Sequence, residues 1–169
     1  MRPGIVHRID KDTTGALLVC KNDTAHRDLA QQLKAHTIKR RYRAIVAGNL
    51  KEDEGTVEAR SAATQLTGKK WRSTTKMEKT LSPIIKSWNV SGMRLISSAA
   101  LKPVVPHQIR VHMTSLGHPL LGDEIYGSGK NPYHLQGQTL HAMVLGFVHP
   151  RTGEYMEFSA PLPEYFLNL

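Results

Sequence analysis

The chain has 169 residues, a formal charge of +9 and one cysteine, Cys20: room for a single domain with a real core, and no internal disulfide. No apolar run approaches the ~20 residues of a membrane-spanning helix, so a soluble, cytoplasmic chain is expected. The excess of Lys and Arg points toward a polyanion such as nucleic acid.

The first elements surround a turn. "GIVHRI" and "ALLVCK" read as two short β-rich runs around "DKDTTG", with Gly15 able to take a positive φ. Asn22, Asp23 and Thr24 are candidate N-caps, and Ala25, Leu29, Leu33 and Ala35 fall roughly at helical spacing, which predicts a helix over 24–36. "IKRRYRAIVAGNL" follows as a strand that starts in a basic cluster, and "DEGTVEA" as a turn into another strand. After His107, "HQIRVHMTSLG" suits a short helix ended by Gly117, while "TLHAMVLGFVHP" and "YMEFSA" suit strands. Several strands with few helices predict an α+β fold.

The middle differs from its flanks. Residues 60–106 carry nine Lys and Arg against one acid, Glu78, and so hold +8 of the net charge. This segment also lacks a clear period of 2 or 3.6. Composition changes at Arg60 and changes back near His107.

An aspartate such as Asp10, in a D-x-D-x-x-G stretch, is by default a turn or cap residue. A calcium loop is a second reading, but Lys21 stands where the bidentate Glu is required. Asp12 fits a turn residue whose side chain accepts backbone N–H bonds. His7, His107 and His112 have no zinc spacing and no accompanying cysteine, so no metal is expected.

"RPGIVHRIDKDTTGALLVCKN" resembles the central motif of the RluA-like family of RNA pseudouridine synthases. "HQIRVHMTSLGHPLLGDEIYG", "LHAMVLGFVHP" and "APLP" resemble the family's C-terminal motifs, so the resemblance covers residues 1–59 and 107–169 in the family's order. It implies an isomerase with a mixed, mainly antiparallel catalytic sheet and a few flanking helices. Such an enzyme converts uridine to pseudouridine in ribosomal or transfer RNA, needs no cofactor, and is expected to be monomeric. The chain reads as one partial catalytic domain, 1–169, truncated before the motif and without an N-terminal RNA-binding domain.

By the same resemblance Asp10 is the catalytic carboxylate, acting as nucleophile at the anomeric carbon or as base on the sugar. Tyr42, in "KRRYRAIV", matches the tyrosine that lies against the uracil. Arg110, in "HQIR", matches the arginine paired with the catalytic carboxylate, whose charge it supports through charge-assisted hydrogen bonds. Arg8 matches the position that fills the gap left when a base is flipped from its stack. His7, Arg40, Arg41 and His107 are the further RNA-binding candidates, and Ile109 is expected to form apolar wall.

The family pattern fails in 60–106, where "PIGR", a basic "RKKM" stretch and "ETGRT" are expected and "LKPVVPHQIR" closes the segment instead. Codons for Leu101 to Pro106, written ttg aaa ccg gtc gta ccc and read one base earlier after a preceding c, spell Leu-Glu-Thr-Gly-Arg-Thr. The same shift turns Arg60 to Lys70 into Pro-Ile-Gly-Arg-His-Pro-Thr-Asp-Arg-Lys-Lys. A one-base deletion near Arg60, compensated by an insertion near Pro106, accounts for the break. A catalytically inactive RNA-binding fragment, held to RNA through "KRRYR", is the alternative to an active synthase.

Overall fold

The structure, a computed structural model, describes residues 4–48, 54–56, 84–90, 93–99, 108–127 and 129–169. The elements are β1 (Thr14–Gly15), α1 (Asp23–Lys34), β2 (Lys39–Val46), β3 (Glu54–Thr56), β4 (Ile84–Val90), β5 (Met93–Ala99), α2 (Gln108–Ser115), β6 (Leu140–Val148), β7 (Tyr155–Ser159) and α3 (Glu164–Leu167). The strands form one sheet in the order β1-β6-β2-β5-β4-β3. One edge of β6 pairs with β2, and the other takes β1 near its start and β7 toward its end. Every pair is antiparallel except β1 with β6, which makes the mixed, mainly antiparallel α+β sheet the sequence predicts.

Asn22 starts α1, its side chain accepting the Ala25 N–H at 2.9 Å. The helix ends two residues short of the predicted 36. His36 turns left-handed at φ 58°, and the Thr37 N–H closes back on the Gln32 carbonyl at 3.0 Å, which satisfies the last turn. Ala25, Leu29 and Leu33 lie along one stripe and pack on Ile38, Leu145 and Phe147 of the sheet.

β2 organises the site. Its alternation puts Arg40, Tyr42, Ala44 and Val46 on one face and Lys39, Arg41, Arg43 and Ile45 on the other. A bulge opposite Arg41 and Tyr42 keeps this phase against β6 despite one extra residue there. α2 covers the Tyr42 face, its Ile109 and Met113 packing with Tyr42, Ala44, Val46, Leu120, Leu140 and Ala142. Full burial of a side chain such as Met113 contributes about 1.5–3 kcal/mol.

The two β-rich runs predicted around the opening turn form little regular strand. They share one isolated bridge, Ile5 with Val19, and the two-residue β1 pairs with β6 instead. Between them the Leu18 N–H donates to a side chain, His7 Nε2, at 2.9 Å and not to a backbone carbonyl. Of the anomalous segment, the backbones of β4 and β5 pair as a hairpin within the sheet. The rest of 60–106, with His107, lies outside the described residues. Among the described residues no helix is long and apolar enough to cross a membrane.

Candidate active site

The turn carrying Asp10 is built to a single shape. The Thr13 N–H bonds the Asp10 carbonyl at 3.1 Å, and Asp12 sits left-handed at φ 65°. Among the described residues the Asp12 side chain accepts no backbone N–H; its carboxylate meets Lys11 at 3.9 Å, which corrects the expected role while leaving it a turn residue. Gln138 performs the tethering instead, donating from Nε2 to the Lys11 carbonyl (2.6 Å) and to Thr13 Oγ1 (3.0 Å). Gly15 has φ 111°, and a Cβ there would collide with the Ala142 backbone, so only glycine lets β1 lie this close to β6.

α2 brings Arg110 to this turn. Its Nη1 lies 3.5 Å from Asp10 Oδ2, with the Arg110 side chain 3% and that of Asp10 12% exposed. The fork itself belongs to Asp123: Nε donates to Oδ2 at 2.6 Å and Nη2 to Oδ1 at 2.8 Å. Asp123 Oδ1 also accepts the backbone N–H groups of Ile125 and Tyr126, and the Tyr126 ring lies 5.0 Å from the guanidinium carbon. Burial alone would raise the Asp123 carboxyl, but the hydrogen bonds from Arg110 and these N–H groups outweigh it and hold it below its ordinary value. Burial would lower Arg110, and the bonds and charge of Asp123, with Asp10 adding to them, raise it. The result is a fixed, buried cation that presents charge to Asp10.

Tyr42 faces the same space from β2. Its pKa is raised, chiefly by burial; the charge of Arg40 opposes the rise and that of Asp10 adds to it. The phenol is therefore protonated at neutral pH. Ile9 and Ile109 pack beside it and supply the apolar wall.

The structure thus brings Asp10, Tyr42 and Arg110 together. His7 lies near Arg40: burial lowers its imidazole pKa, and the Arg40 charge adds to the effect. Arg8 is exposed, with no ion-pair or hydrogen-bond partner among the described residues. Arg41 does not join the group: it lies on the opposite face of β2, where it and Lys39 pair with Glu157. His112 is buried in α2, which lowers its pKa. Asp123 and Gln138 escaped the sequence reading. For Asp123 a signal existed in "GDEIY", since an aspartate accepting the N–H groups two and three residues on is an Asx turn.

A turn-borne aspartate, a buried arginine and a strand tyrosine thus stand together on a mixed sheet flanked by helices. The family model described as RNA pseudouridylate synthase matches residues 1–115, and the chain belongs to that family. It is 46% identical to the RNA pseudouridine synthase YlyB of Bacillus subtilis over 173 residues, covering 100% of this chain and 55% of that protein. It is 42% identical over 172 residues to ribosomal large subunit pseudouridine synthase D of Zymomonas mobilis, covering 96% of this chain and 54% of that one. The chain thus spans about half the length of these relatives. Among solved structures, human RNA pseudouridylate synthase domain containing 1 superposes with a TM-score of 0.75 at 24% identity, over 95% of this chain and 69% of that one, which is a likeness of fold.

Proposed function

We propose that this chain isomerises uridine to pseudouridine in ribosomal RNA of the large subunit, with Asp10 as the catalytic carboxylate. The observation that carries the reading is the Arg110–Asp10 contact at 3.5 Å, backed by the bidentate Arg110–Asp123 pair. In the reaction the N-glycosidic bond breaks, the uracil turns, carbon 5 bonds to the anomeric carbon, the hydrogen on carbon 5 leaves to water, and the freed N1 takes up a proton from water. Asp10 acts on the ribose as nucleophile or base, and Arg110 stabilises its negative charge. Tyr42 packs against the uracil; as a protonated phenol it passes on the carbon-5 proton only if its own proton moves away. Arg8, exposed beside Asp10, takes the gap left by the flipped base. The test is release of tritium from carbon-5-labelled uridine in RNA, which a silent RNA-binding fragment would not produce.

The composition break, together with the motifs hidden one base away, supports a second element of this reading: residues 60–106 stand out of the family's frame. The charge of that segment then belongs to the shift and not to an RNA-binding surface.

A further inference from the structure

Arg40 is 5% exposed, lies on the Tyr42 face of β2, and has no carboxylate partner among the described residues. Its Nε is buried without a hydrogen bond. Along β2 it stands between Ile38 of one apolar cluster and Tyr42 of the other. His7 occupies the matching place in the leading segment, between Val6 and Ile9 of the same two clusters. Its Nε2 accepts the Leu18 N–H, so the ring is the neutral tautomer with its proton on Nδ1, and that buried Nδ1 also lacks a partner.

A buried guanidinium without an anion is destabilising, and an unmet imidazole N–H adds to that. The two other cations of β2 that find a carboxylate, Lys39 and Arg41, share Glu157 on the opposite face. Buried donors without a partner also occur at Arg41 and Arg43 Nε and at His112 Nδ1, but Arg41 already holds Glu157. What sets Arg40 and His7 apart is that they share one seam without a carboxylate among the described residues, and the Arg40 fork suits an oxyanion that brings its own negative charge.

We propose that Arg40 and His7 form a preorganised phosphate site that takes the phosphodiester flanking the uridine held at Asp10 and Tyr42. Residues two apart on a strand face are about 7 Å apart, which is the reach from a pyrimidine ring to its own phosphate. The proposal rests on the pseudouridine synthase reading for its ligand, though not for the orphaned donors.

The experiment compares the wild type with Arg40→Met on an unmodified large-subunit ribosomal RNA transcript. Loss of one phosphate contact should weaken binding by about tenfold and reduce the slope of log affinity against log salt by about 0.7–0.9. The melting temperature should hold or rise, because a structurally satisfied arginine would lower it on removal whereas an orphaned one does not. Unchanged affinity and slope, with or without a fall in melting temperature, overturn the site. Should the variant not fold, the Nδ1 resonance of His7 in the wild type is followed during titration with inorganic phosphate: a saturable shift supports the site and an invariant resonance overturns it. Tritium release by the wild type, read on the same transcript, judges the synthase reading separately.

Discussion

Arg110 and Asp123 meet in a bidentate pair, at 2.6 and 2.8 Å, closer than the 3.5 Å between Arg110 and Asp10. The arginine is thus anchored by one carboxylate and offered to another. Anchoring fixes the cation before substrate arrives, so its field at Asp10 needs no rearrangement.

Removing that anchor's partner tests the arrangement. Arg110→Met should destabilise the fold by about 3–5 kcal/mol, because Asp123 would be left buried and uncompensated. Chemical denaturation measures it, and a loss below about 1 kcal/mol would mean the pair is solvated.

Gly15→Ala should destabilise the protein by about 2 kcal/mol or more and lower turnover, since the added Cβ meets the Ala142 backbone at a left-handed φ. Thermal melting and the tritium assay read both effects. A variant that melts and turns over like the wild type would show that β1 does not need this close approach.

Much of this was legible beforehand. The N-cap Asn22, the glycine at 15 and the alternation of β2 are local signals, because each depends on a few neighbours in sequence. The Arg110–Asp123 pair joins a helix to the loop after it, and Gln138 reaches back across more than a hundred residues to Lys11 and Thr13. Tertiary contacts of that kind leave no period or spacing to read. The same holds for His7, whose ring accepts the Leu18 N–H, and for Arg41, grouped with Arg40 in sequence and separated from it by the pleat.

His7 gives a pH dependence. Burial, with the charge of Arg40 adding to it, lowers its imidazole from 6.5 to about 4. Between those values the unfolded chain binds a proton that the folded one does not, so stability contributed by neutral His7 is complete above 6.5 and declines as pH falls toward 4. Urea midpoints across that window should fall more steeply for the wild type than for His7→Gln. Parallel slopes would contradict a buried, neutral His7.

The frame reading predicts the coding DNA. Codons for residues 60–106, read one base earlier, should spell Pro-Ile-Gly-Arg at the start and Leu-Glu-Thr-Gly-Arg-Thr at the end. A protein rebuilt in that frame should melt at a higher temperature than the 169-residue chain, because its local preferences again agree with the sheet. Stop codons in the shifted frame, or equal melting temperatures, would count against it.

The central claim is that Asp10 performs chemistry on uridine, and the most direct measurement is tritium release from carbon-5-labelled ribosomal RNA by the wild type and by Asp10→Asn. The amide is nearly isosteric but is neither nucleophile nor base, so the wild type should release tritium while the variant binds the RNA and releases none above background. Appreciable release by Asp10→Asn, or none by a folded, RNA-bound wild type, would contradict the account.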